Sequence, residues 1–245
     1  MSKFRIIPVI DILNSEAVHA KKGERDKYKP LNSRILNTSK PFKIVKLLKE
    51  NYDFNEIYIA DLDSILHKKP NVNLISEMSK IANLKIILDP GITNKEDVLR
   101  FSKLKLYKLI IGLESVNSID VIRECIEDLG QNKVIVSVDM YDGKIISKLN
   151  VFNKKNPINC INVFKKLEVR ELILLDLFRV GQKIGGIPPF YLKINQKFEG
   201  KILVGGGIKN IEDTISYKKN NFSGILIATA LYDETIKINE LKEIV

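Results

Sequence analysis

Eight short apolar runs recur along the chain, at 5–10 (RIIPVI), 56–60 (EIYIA), 85–89 (KIILD), 108–112 (KLIIG), 133–138 (KVIVSV), 171–175 (ELILL), 201–205 (KILVG) and 224–228 (GILIA). Each is rich in β-branched residues and carries no internal polar alternation. That pattern suits strands buried on both faces, as in a parallel sheet. Between them, apolar residues repeat at helical spacing over 41–52, 72–82, 95–104, 119–130, 157–167, 188–198, 211–220 and a tail from Thr235. Thr93 and Asn94, followed by Glu96 and Asp97, mark one helix start, because a side-chain oxygen there caps free amides and acidic residues suit the dipole. Eight strand-helix alternations predict a (β/α)8 TIM barrel, and 245 residues are enough for one such barrel as a single domain.

The second half repeats the first. Residues 85–92 (KIILDPGI) read against 201–208 (KILVGGGI), and Asn94, Glu96 and Asp97 against Asn210, Glu212 and Asp213. The same order sets 57–65 (IYIADLDSI) against 172–180 (LILLDLFRV). It also sets a first strand ending in Asp11 against one ending in Asp139. Repeats of this length indicate duplicated units. The barrel is expected to consist of two half-barrels, about 1–131 and 132–245. The first is longer, mainly through the polar, basic segment 20–34 (AKKGERDKYKPLNSR). A long loop after the first strand lies at the catalytic face, so this segment is expected to act as a lid whose Arg25, Lys27 and Lys29 suit an anion.

A formal net charge of +10 raises the question of a polyanionic partner. The lysines are scattered over helical stretches without an aromatic-interleaved basic run, so they read as a solvated surface, and no nucleic-acid partner is expected. No apolar stretch is long enough to span a bilayer, and no membrane association is expected. The two cysteines, Cys125 and Cys160, lie in amphipathic stretches without metal-ligand spacing. They read as reduced, packed thiols of a cytoplasmic protein.

Asp11 and Asp139 carry the chemistry in this reading. Both end strands at symmetry-related places, where barrel active sites lie, and two carboxylates facing across one site can serve as acid and base. Gly205, Gly206 and Gly207 follow strand seven, and Ala228 and Thr229 follow strand eight. Glycines admit an anion close to the backbone and the next helix offers amides, so these residues are expected to cradle a phosphate. In the first half Asp89-Pro90-Gly91 and Gly112-Leu113-Glu114-Ser115 occupy the matching places. A carboxylate at Asp89 repels phosphate and Pro90 lacks an N–H, so this second site is expected to be weak or empty. His19, just beyond Asp11, reads equally as a ligand-binding, switchable charge and as a surface histidine on a loop. His67 is expected on the surface.

Taken together, 7–23 (IPVIDILNSEAVHAKKG), 137–145 (SVDMYDGKI), 205–213 (GGGIKNIED) and 227–233 (IATALYD) resemble the ProFAR isomerase family of histidine biosynthesis, relatives of the imidazole glycerol phosphate synthase cyclase. The resemblance runs from strand one to strand eight. It implies a duplicated (β/α)8 barrel that isomerises a phosphorylated aminoaldose to an aminoketose without metal or organic cofactor. It also implies Asp11 as general base at C2, Asp139 as general acid at the ribose ring, and retained binding positions at Asp176 and Gly181. Thr93 stands where the isomerase has arginine, Leu113 where it has threonine, Leu175 where it has threonine, and Val180-Gly181-Gln182 where it has Asp-Gly-Thr. Val9 replaces the cysteine usual in the cyclase. The expected ligand is a phosphorylated ribosylamine or sugar phosphate, ProFAR or a related monophosphate. The alternative is a catalytically silent barrel that binds a phosphorylated metabolite.

Overall fold

A computed structural model describes residues 3–244; residues 1, 2 and 245, the outermost of the expected single domain, lie outside the described residues. Eight strands form the barrel: β1 (Arg5–Leu13), β2 (Glu56–Asp61), β3 (Lys85–Asp89), β4 (Lys108–Gly112), β5 (Val134–Tyr141), β6 (Glu171–Asp176), β7 (Lys201–Gly205) and β8 (Gly224–Ile227). Each pairs in parallel with the next, and β8 returns to β1 with Arg5 opposite Gly224 and Pro8 opposite Ile227, so the sheet closes. Closure leaves no unpaired edge along the ladder. The outer helices are α1 (Pro41–Glu50), α2 (Val72–Met78), α3 (Lys95–Ser102), α4 (Ile119–Leu129), α5 (Ile161–Lys166), α6 (Pro189–Lys197), α7 (Ile211–Lys219) and α8 (Ile238–Ile244). A further helix, Leu62–His67, follows β2 directly and has no signal in the hydrophobic pattern; exposed His67 ends it.

The strands are buried on both faces, which explains their unbroken apolar character. Side chains alternate across a strand. One set, including Ile10, Ile59, Leu88, Ile111, Val138, Leu174, Val204 and Ile225, meets the helices. The other set fills the barrel: Ile7, Tyr58, Ile87, Ile110, Ile135, Ile173, Leu203 and Leu226, one from each strand. Two residues earlier on the same inward-facing rows stand Arg5, Glu56, Lys108 and Glu171. Arg5 bonds Glu56 at 2.7 Å and Glu171 at 2.5 Å, and Lys108 bonds Glu171 at 2.5 Å. These charges close the amino end of the barrel. Two to four residues later the same rows carry Asp11, Asp89, Gly112, Asp139 and Gly205 at the carboxyl end.

β1 and β5 run further than their apolar pattern predicts, because each leaves the barrel and continues into a hairpin. Asp11 faces Val18 on the strand Glu16–His19, and Met140 faces Ile145 on the strand Lys144–Ile145. The turns Asn14-Ser15 and Asp142-Gly143 have positive φ throughout, the geometry of tight hairpin turns. Each turn is clamped by a carboxylate at or just past the end of the neighbouring strand. Asp63 accepts from the amides of Asn14 (2.7 Å) and Ser15 (2.9 Å), and Asp176 accepts from those of Asp142 (3.1 Å) and Gly143 (2.9 Å). Both cysteines are buried and unbridged. No described helix is long and apolar enough to cross a membrane.

Candidate active site

A cleft of about 940 Å³, open to solvent, lies at the carboxyl end of the barrel, and Asp11, Asp89, Glu114 and Asp139 all reach it. Asp11 and Asp139 come from β1 and β5, which stand opposite each other in the closed sheet. Ser137 donates to Asp139 Oδ1 at 2.8 Å, while Oδ2, buried, has no hydrogen-bond partner. Burial, with Glu114 and Asp89 nearby, holds the Asp139 carboxyl well above the usual range. Burial also pushes Asp11 up to about 7, Asp89 adding to the rise and Arg25 opposing it. Asp89 is pushed up to about 6 by burial, against the amide of Gly91 (3.0 Å) and the hydroxyl of Tyr58 (3.3 Å), which donate to it. Carboxylates crowded into one apolar cleft do not all ionise together. The cleft therefore holds both protonated and ionised carboxyls near neutral pH, the condition for paired acid and base.

This arrangement has a cost that pH reveals. An unfolded aspartate ionises near pH ~3.9. Asp11, Asp89 and Asp139 ionise later in the native state, so their contribution to stability is complete below that value and is lost as pH rises through the native ones. Asp11→Asn is expected to raise Tm at about pH 8, with the gain disappearing by about pH 4. Melting curves at the two pH values check this; an equal gain at both would contradict it.

The loop 20–34 roofs the cleft. It turns through Arg25–Lys27 and returns as Lys29–Pro30 beside Glu16–His19. The Lys22 amide donates to Val180 O at 3.0 Å, which fastens the loop to the segment after β6. Gly181, with φ +71°, sits so close that a Cβ there would stand 2.6 Å from Ala20 O. Arg25 then crosses the cleft and pairs with Glu114 beyond β4. The sequence singled out Arg25 as a free cation for an anionic ligand; the fold gives it an acidic partner, and that pairing between distant loops has no sequence signal.

At the β7–β8 side, Gly205, Gly206, Gly207, Ala228 and Thr229 line the cleft together. Gly206 and Gly207 have φ +84° and +83°, and a Cβ on them would crowd Asp176 O (3.1 Å) and Arg179 Nε (3.0 Å). Packing thus requires these glycines as well as any ligand does. The amino end of α7 differs from expectation: Asn210 accepts from the Asp213 amide and Asp213 from the Lys209 amide, so those groups are engaged internally. The glycine turn and the start of the helix Thr229–Tyr232 line the cleft on this side. Lys183 also lines it, bonded to Thr235 Oγ1 at 2.5 Å and paired with Asp233. His19 lies outside the main cleft, in a small adjoining hollow, 3.3 Å from Thr229 Oγ1. Burial lowers its pKa. Asp176 clamps a hairpin and is not part of the cleft wall.

The β3–β4 side is different in kind. The Thr93 amide and hydroxyl both donate to Asp97 Oδ2, at 2.9 and 2.5 Å, so the helix start there is already satisfied. Gly112 has no positive φ, yet a Cβ on it would stand 3.2 Å from Asp139 Oδ2 and 3.8 Å from Asp89 Oδ2. Carboxylate oxygens thus occupy the surroundings of the second candidate phosphate position.

The Histidine biosynthesis protein family profile matches residues 5–237. The chain is 30% identical to an uncharacterized protein of Methanocaldococcus jannaschii over 97% of both chains. It is 26% identical to the 1-(5-phosphoribosyl)-5-((5-phosphoribosylamino)methylideneamino)imidazole-4-carboxamide isomerase of Leuconostoc mesenteroides, over 98% of this chain and 99% of that one. It is 27% identical to the isomerase of the same name from Clostridium kluyveri, over 98% of each.

Proposed function

The chain belongs to the histidine biosynthesis protein family, and on that premise we propose that it is an isomerase of the aldose–ketose type acting on a phosphorylated ribosylamine. The observation that carries this reading is the pair Asp11 and Asp139 reaching one cleft from opposite strands, beside a glycine turn suited to phosphate. Asp139, held protonated by burial, donates to the ribose ring oxygen as the C1–O bond breaks, leaving a Schiff base between C1 and the amine. Asp11, near its titration midpoint at neutral pH, takes the C2 proton, and the C–H electrons form the C1–C2 double bond of an enolamine. Protonation at C1, with loss of the C2 hydroxyl proton to the Asp139 carboxylate, then forms the C2 carbonyl of the aminoketose. Every step is proton transfer, and chelators are expected to leave turnover unchanged.

The relatives' substrate name carries two phosphoribosyl groups. The ligand proposed here carries one phosphate, bound at the β7–β8 turn. Asp89, Asp139 and Glu114 surround the other position, and burying a phosphate dianion among carboxylates would cost several kcal/mol, of order the penalty for an unpaired buried charge. Calorimetry should give tighter binding for a ribosylamine or ribulose monophosphate than for ProFAR. Micromolar binding and ordinary turnover of ProFAR would overturn the one-phosphate reading, and binding of sugar phosphates without any turnover would favour a silent binding barrel.

A further inference from the structure

Asp89, Glu114 and Asp139 line the cleft together at the β3–β5 side. Gly112, which has no left-handed φ, lets them pack close against β4: a Cβ there would lie 3.2 Å from Asp139 Oδ2, 3.8 Å from Asp89 Oδ2 and 4.0 Å from Glu114 Cγ. Asp139 is only 4% exposed, and its Oδ2 has no partner. Buried polar oxygens are nearly always paired, so an unpaired one on a residue that lines a ligand cleft marks where a polar group of the ligand docks. Arg25 is committed to Glu114, which leaves Asp89 and Asp139 without a cation of their own. Tyr58 and the Gly91 amide, the donors to Asp89, are neutral groups.

We propose that the part of the cleft lined by Asp89 and Asp139 takes a basic nitrogen of the substrate, a primary amine held by these two residues, at the end of the sugar opposite its phosphate. This rests on the isomerase reading above and names the substrate class for it. A primary amine carries two N–H donors on one small atom, enough to reach oxygens from two strands, and keeps the lone pair that forms the Schiff base. Asp89 becomes a specificity-determining residue: it favours an amine and rejects a phosphate at the same spot. Asp139 then contacts both the amine and the adjacent ring, where a proton donor is needed.

Three ligands that differ only at C1 test the proposal: 1-amino-1-deoxyribulose 5-phosphate, ribulose 5-phosphate and ribulose 1,5-bisphosphate. Calorimetry on the intact protein should rank them amine, hydroxyl, phosphate, with the amine favoured over the hydroxyl by about ten-fold or more, the scale of one charge-assisted hydrogen bond. Asp89→Asn should shrink the ratio between the first two ligands. Equal affinity for amine and hydroxyl, or a bisphosphate that binds as tightly as the amine, overturns the proposal while leaving the isomerase reading intact. If none of the three binds the folded protein, the sugar-phosphate reading falls with it.

Discussion

Asp11→Asn and Asp139→Asn are each expected to reduce turnover by roughly 10²-fold or more, the scale of a positioned proton-transfer group. Asparagine keeps the size and shape of aspartate but neither accepts a proton at C2 nor donates one to a ring oxygen. Neither side chain holds the fold together through a charge pair. Asp139 has one hydrogen bond, from Ser137, which an amide oxygen can also accept. Asp11 stands where β1 leaves the barrel for its hairpin, and the ladder there is made by the backbone. The loss should therefore fall on kcat, with KM changed much less, and the variants should melt cooperatively. A steady-state comparison on the substrate identified by the binding series measures this. Undiminished kcat in either variant would remove that residue from the chemistry.

Glu171→Ala is expected to cost about 3–5 kcal/mol, lowering Tm by on the order of 10 °C. Glu171 is 2% exposed and is the shared partner of Arg5 and Lys108, drawn from strands on different sides of the barrel. Its removal leaves Lys108, itself buried, without its carboxylate, and Arg5 with Glu56 alone. Breaking a buried pair from one side is costly because the remaining charge stays out of water. Replacing both ends with apolar residues of similar size can be nearly neutral. The double variant Lys108→Met/Glu171→Met should therefore recover much of the loss, a non-additivity that denaturant titration reads directly. A loss below about 1 kcal/mol for Glu171→Ala, typical of an exposed pair, would show that the charges are solvated after all.

The barrel was legible in the sequence because its strands are buried on both faces. An apolar run such as KILVG needs no partner to be recognised, whereas Leu62–His67 lies against β2 without a separating turn and carries no helical period of its own. Asp11, Asp139 and the glycine turn stood out by their repeat, and the fold brings them to one cleft. What stayed hidden depends on closure. Arg5, Glu56, Lys108 and Glu171 look like strand-flanking surface charges until the sheet curls and points them at one another. Arg25 and Glu114 lie 89 residues apart and meet only because one loop bridges the mouth. Tyr58 reads as one more strand residue, yet alternation turns it inward beneath Asp89. Asp176 matched Asp61 in the repeat, while the hairpin clamps use Asp176 in one half and Asp63 in the other.

The central claim is that a carboxylate removes the C2 proton of a phosphorylated ribosylamine. Turnover of the C2-deuterated aldose in ordinary water, read by NMR of the ketose, tests it most directly. Proton abstraction by Asp11 predicts deuterium lost to solvent, protium at C1 of the product, and no change on adding a chelator. Complete retention of the deuterium at C1 would indicate an internal hydride shift and contradict the account.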